Sequence, residues 1–134
     1  MTDPLKRIMH IDNNESELIT IEAIFDRHPD ISLSSVKSCE AALETLKVFD
    51  PQLILLDLIM PEHDGPTTLS EIRKIEGYET TPIVFLTGAK EVTMANDYTK
   101  LGVIGVIHKP VDPEHFVFRL LDFWEAYHHN LKSA

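Results

Sequence analysis

The chain has 134 residues, 43% of them hydrophobic, a size that suits one domain whose core needs neither a disulfide nor a structural metal. Cys39 is its single cysteine, which excludes an intramolecular disulfide; no apolar run reaches the length of a membrane span, and the polar segment from Met1 to Arg7 carries no signal core. Twelve Lys and Arg against 22 Asp and Glu give a formal charge of -10, which repels nucleic acid and anionic membranes and leaves a soluble, cytoplasmic protein as the expectation.

The first predicted strand is Arg7-Ile8-Met9-His10-Ile11, closed by Asp12. Leu18, Ile21, Ile24 and Phe25 then share one helical face, up to a break at His28-Pro29. Residues 31–36 read as a short second strand whose serines predict an edge position. Ser38 is the expected N-cap of a second helix, with Ala42, Leu43, Leu46 and Phe49 as its stripe before Pro51. The third strand, Leu53-Ile54-Leu55-Leu56-Asp57, is the most hydrophobic run, and Leu58-Ile59-Met60-Pro61 and a turn at Asp64-Gly65 follow it. Pro66 suits the first turn of a third helix that buries Leu69, Ile72 and Ile75 and stops near Gly77. A fourth strand, Pro82 to Leu86, is closed by Thr87, and a weaker fourth helix is predicted from Lys90 to Lys100 with Val92, Ala95 and Tyr98 inward. The fifth strand, Val103 to His108, is closed by Lys109, and a last helix runs from near Asp112-Pro113 to about His129. We expect one domain over 5–128 and a tail over 129–134, with no linker or internal repeat.

Strands that alternate with helices and are nearly continuously apolar predict an α/β fold, a doubly wound parallel sheet in the flavodoxin-like order 2-1-3-4-5. Right-handed crossovers carry every strand C-terminus to one edge, so Asp12, Asp57, Thr87 and Lys109 should meet there, the two aspartates flanking the crevice between strands 1 and 3. A carboxylate at the tip of a buried strand is costly to desolvate without a charge partner or a task. Two of them call for a shared proton or a hard cation such as Mg²⁺, which prefers oxygen ligands. With a lysine and a hydroxyl added, the set fits phosphoryl transfer to an aspartate.

Four segments in register, Ile8 to Asp12, Leu53 to Pro61 with Gly65, Pro82 to Thr87, and His108-Lys109-Pro110, make the chain resemble the receiver domain of two-component response regulators, over about residues 5–127. The resemblance implies that Asp57 accepts a phosphoryl group from the phosphohistidine of a sensor histidine kinase or phosphotransfer protein. It also implies that Asp12, Asp57, the residue at Asn13 and the backbone carbonyl of Ile59 hold Mg²⁺, that Thr87 and Lys109 contact the phosphoryl group, and that Lys109-Pro110 is a cis peptide. Such a domain is a phospho-acceptor that assists its own phosphorylation and dephosphorylation, not an enzyme in the usual sense. It signals by altered protein–protein contact, through a downstream protein or a homodimer on the face of the fourth helix, fifth strand and last helix. This sequence departs from the family in two places: Asn13 stands where a second acid is usual, and Val106 where an aromatic is usual on strand 5.

Plainer readings stand beside these. Asp12 alone could cap the helix that follows, Thr87 could be a loop residue, and Lys109 a solvated turn lysine. His10 and His108 sit in strand-like runs, where a structural role is the simpler expectation, and His63 follows Asp57 in a loop. In the last helix Phe116, Leu120, Phe123, Trp124, Tyr127 and Leu131 keep helical spacing, and Val117, Phe118 and Leu121 widen the arc. The core accounts for part of that width; Trp124 and Tyr127 are the expected exposed patch. The competing functions are a phosphorylation-independent interaction module, consistent with Asn13 and Val106, and an aspartyl phosphatase, which the apolar Ile59 and the lack of a glycine-rich phosphate loop argue against.

Overall fold

Strands β1 (Arg7–Ile11), β2 (Ser32–Val36), β3 (Leu53–Asp57), β4 (Ile83–Thr87) and β5 (Val103–His108) pair in parallel throughout, in the order β2-β1-β3-β4-β5. This is the predicted sheet. The structure, a computed structural model, describes residues 3–58, 60, 65–88 and 101–133. Helices α1 (Glu15–Phe25), α2 (Cys39–Phe49), α3 (Gly65–Arg73) and α4 (Phe116–Ser133) cover the sheet. The fourth predicted helix, with Val92, Ala95 and Tyr98, lies outside the described residues, as do Ile59, His63 and Asp64.

The continuous apolar runs are explained by burial on both faces: every residue of β3 and β4 is buried. Alternate residues feed two cores. Met9, Ile11, Ile54, Leu56 and Phe85 pack with Ala42, Leu46, Leu69 and Ile72, from α2 and α3. Ile8, Leu53, Leu55, Val84 and Leu86 pack with Ile21, Ile24 and Phe25 of α1 and with Phe116, Val117, Leu120 and Trp124 of α4. Each such side chain contributes about 2 kcal/mol on burial, so a one-residue register slip, which would exchange the faces, is strongly disfavoured.

Local chemistry sets the helix ends. Asn14 caps α1 by accepting from Glu17 N, while Ser38, the predicted cap, holds the start of α2 by accepting from Ala41 N. α3 ends at Arg73, and the chain turns through Gly77 at φ 95. α2 ends at Asp50, a non-glycine residue in the left-handed region at φ 54, held by Tyr78. The Tyr78 hydroxyl reaches Leu46 O and Asp50 Oδ1, each at 2.9 Å, and burial together with Asp50 pushes its pKa up to about 12, so it stays a neutral donor. Tyr78→Phe should therefore cost about 1–2 kcal/mol in chemical denaturation, since a buried carbonyl and a strained cap both lose their partner; an unchanged midpoint would contradict this.

The last helix starts at Phe116, four residues later than near Asp112, and it continues through Ser133 into the stretch read as a tail. Asp112 and Pro113 belong instead to a capping turn, where Asp112 accepts from Glu114 N and pairs with His115 Nδ1 at 2.7 Å. That pair raises the His115 pKa, through the Asp112 hydrogen bond and charge, and lowers that of Asp112. The paired, charged state exists from the lowered Asp112 value up to the raised His115 value, and it is lost as pH rises through the latter. NMR titration should place the His115 midpoint above 6.5, and Asp112→Asn should bring it down; equal midpoints would show that the pair does not form in solution.

Trp124, expected on the surface, is core: it is 4% exposed and its indole N–H donates to Asp3 O. Among the described residues, the large apolar side chains that α4 does expose are Phe118, at 60%, and Leu131. The difference arises because the N-terminal segment crosses under α4 and covers that part of the arc, a contact 121 residues apart in sequence.

Candidate functional site

At the C-terminal edge of the sheet, β1 and β3 are neighbours, and their last turns place Asp12 and Asp57 beside each other. Asp12 N donates to Val36 O, which continues the β1–β2 ladder one residue past the strand and fixes where the carboxylate emerges. Its side chain is fully buried, and that of Asp57 nearly so. On the far side, Lys109 N donates to Thr87 O at 2.7 Å, so the residue after β5 is tied to the end of β4. The Lys109–Pro110 peptide is cis, as expected.

Lys109 reaches back across the edge, its Nζ 3.2 Å from Asp57 Oδ1 and 3.4 Å from Asp12 Oδ2. Burial works against its charge, but Asp57 and Asp12 outweigh that and hold its pKa above the usual lysine value. Burial likewise works against an ionised Asp12. The adjacent His10 ring, the Asn14 N–H at 2.9 Å and the Lys109 charge outweigh it, and the Asp12 pKa lies below the usual carboxylate value. The site thus sets a buried carboxylate against a partly buried ammonium, each favouring the charged form of the other.

Thr87 is buried at the end of β4, where its hydroxyl donates to Gly88 O at 3.0 Å. Asp12, Asp57, Thr87 and Lys109 are therefore gathered at one edge, as the topology required. Asn13 is exposed next to Asp12, and Val106 is partly buried against the core of the α2 and α3 face. Asp12 caps no helix through its own position; Asn14 does that, while Asp12 Oδ1 holds the Asn14 N–H.

Two residues, expected only as a turn former and as a structural strand histidine, also border the site. Gly65 N donates to Leu58 O, and a Cβ on Gly65 would lie 2.8 Å from Leu58 Cα and 2.9 Å from Asp57 O, so the start of α3 sits directly on the strand tip that carries the acid. His10 is fully buried with Nε2 3.5 Å from Asp12 Oδ2. The signal for it was the period of two along a strand, which puts residues 10 and 12 on one face.

The donor chemistry suits a hard divalent cation. Asp12 and Asp57 present only oxygen, and an ammonium already bridges them at the spot where positive charge is favoured. Among the described residues no group of three His, Cys, Asp or Glu is placed to hold a metal ion, so water and backbone carbonyls would have to complete a shell, which Mg²⁺ tolerates.

A family model of the response regulator receiver domain matches residues 8–120. The chain is 27% identical over 105 residues to the chemotaxis protein CheY of Halobacterium salinarum, covering 78% of this chain and 85% of that one. It is 36% identical over 91 residues to a probable transcriptional regulator, ycf29, of Porphyra purpurea, covering 66% of this chain and 40% of the relative. It is 27% identical over 118 residues to a probable cyclic di-GMP phosphodiesterase of Vibrio cholerae, of which it spans 27%, so it matches only a part of several longer relatives. Its fold superposes on the chemotaxis protein CheY4 of Vibrio cholerae with a TM-score of 0.80 at 19% identity, over 90% of this chain and 99% of the other. A bacteriophytochrome response regulator, RtBRR, superposes at 0.73 with 26% identity, over 90% and 78%. No helix among the described residues is long and apolar enough to cross a membrane.

Proposed function

The chain belongs to the response regulator receiver domain family of two-component signalling, and from that premise we propose that Asp57 is its phospho-acceptor and that Mg²⁺ assists the transfer. The observation that carries this reading is Lys109 Nζ within 3.4 Å of both strand-tip carboxylates. An Asp57 oxygen attacks the phosphorus of a phosphohistidine; the new O–P bond forms as the P–N bond breaks, and the imidazole leaves with the bonding pair. Asp12, Asp57 and, from the family resemblance, the backbone carbonyl of Ile59 would hold Mg²⁺, with Asn13 beside them, and the ion would supply positive charge to the phosphoryl oxygens. Lys109 stays at the acceptor to offset the charge that the transfer adds, and the Thr87 hydroxyl turns from Gly88 O to a phosphoryl oxygen. The donor is a sensor histidine kinase or phosphotransfer protein, and output is a changed affinity for a downstream protein or a second copy.

Val106 supports a second reading, a module that binds its partner without phosphorylation, because an aliphatic side chain there cannot make the swing that an aromatic makes when Thr87 moves. Incubation with a small phosphodonor, with and without Mg²⁺, separates the two on a phosphate-affinity gel. A retarded band that needs Mg²⁺ is the expected result; no band at any Mg²⁺ concentration would favour the second reading.

A further inference from the structure

His10 lies in the middle of β1, closed from solvent, and neither ring nitrogen has a hydrogen-bond partner among the described residues. An apolar residue at that position would avoid the desolvation of two ring nitrogens. Its placement is not random: Nε2 is 3.5 Å from Asp12 Oδ2, short of a hydrogen bond but aimed at that oxygen from inside the protein. A second polar group is orphaned nearby. The Ser35 hydroxyl is closed from solvent without a partner among the described residues, and Ser35 is the Cα partner of His10 across the β1–β2 ladder, which puts both side chains on the same face.

We propose that His10 is a positioning residue for the divalent-cation site, its Nε2–H fixing the rotamer in which Asp12 offers oxygen to Mg²⁺, with Ser35 serving Nδ1 directly or through a buried water. The inference rests on the reading of Asp12 as a Mg²⁺ ligand. A neutral imidazole has one donor and one acceptor nitrogen. If Nε2 donates to Asp12, Nδ1 needs a donor, and the Ser35 hydroxyl is the orphan at hand. Asp12 Oδ1 is already held by the Asn14 N–H and Oδ2 is approached from the site side by Lys109 Nζ at 3.4 Å, so a donor on Oδ2 from inside the protein restrains the carboxylate even when a cation displaces the lysine. That restraint counts for more here than in a site with three acids, because Asn13 contributes no charge of its own. Partners that orient a ligating carboxylate typically matter by about 10- to 100-fold in metal affinity.

Calorimetric Mg²⁺ titration and thermal melting of the wild type, His10→Leu, His10→Gln and Asp12→Asn test this. His10→Leu should bind Mg²⁺ about tenfold more weakly with an unchanged or higher melting temperature. His10→Gln, whose amide N–H reaches the same place, should stay within about threefold of wild type. Wild-type affinity in His10→Leu, beside lost binding in Asp12→Asn, overturns the role of His10 alone. Retained binding in Asp12→Asn overturns the metal reading beneath it. Parallel loss of affinity and melting temperature in both His10 variants would mean packing and nothing more. Nitrogen-15 NMR of the wild-type ring supplies a check free of mutants: protonation at Nε2 is expected, and a neutral ring protonated at Nδ1 overturns the proposal.

Discussion

Asp57→Asn is expected to abolish phosphoryl uptake completely while the protein stays folded. The amide has nearly the shape of the carboxylate but is no nucleophile at phosphorus, and no step of the proposed transfer survives its loss. Folding should be little affected, because Lys109 keeps Asp12 as a partner at 3.4 Å and the acceptor is at the edge of the sheet, not inside either core. Removing one member of a buried charge pair usually destabilises by about 3–5 kcal/mol. Here the second carboxylate reduces that cost, and the variant should melt within a few degrees of wild type. Intact mass after treatment with a phosphodonor reads the first effect and calorimetric melting the second. Label in the variant equal to that in the wild type would remove Asp57 from the mechanism.

Gly65→Ala should lose both stability and acceptor activity. Helix propensity alone favours alanine over glycine inside a helix by about 1 kcal/mol, so the sign of the effect is diagnostic. Against that stands a Cβ placed 2.8 Å from Leu58 Cα, 2.9 Å from Asp57 O and 3.1 Å from Leu58 O. All three are backbone atoms, which cannot rotate away as a side chain can. Overpacking of this kind costs about 1–3 kcal/mol, and relief requires α3 or the β3 tip to move. Moving that tip displaces Asp57 from Lys109, and displacements near 1 Å at a reacting group cost on the order of 100-fold in rate. Urea denaturation and the initial rate of phosphorylation should both fall. A stabilised, fully active variant would mean that the close approach of Gly65 does not position the acceptor.

The strands and their order were legible because a sheet covered on both faces leaves no choice of composition. Leu53 to Leu56 and Ile83 to Leu86 are apolar at every position, and the tip residues Asp12, Asp57, Thr87 and Lys109 stand out against those runs. Ser38 was legible for a local reason, since a cap acts within three residues of itself. The rest depended on contacts between distant parts of the chain. Trp124 is buried by a segment at the other terminus, and periodicity along α4 carries no trace of that cover. The true start of α4 turned on Asp112 choosing the Glu114 N–H and His115, a local competition between turn and helix that spacing of apolar residues does not register. Gly65 was seen as a turn former, while its packing role needs the third dimension. His10 had the right period beside Asp12, but the simpler expectation of a structural histidine set it aside.

The most direct test of the account is to find the covalent bond itself. After reaction with a small phosphodonor and Mg²⁺, reduction of the acyl phosphate with borohydride and tandem mass spectrometry locate the modified carboxyl. The account predicts a single reduced aspartate, at Asp57, that is absent when Mg²⁺ is chelated. A modification at Asp12 or elsewhere, or one that forms equally well without the metal, would contradict it.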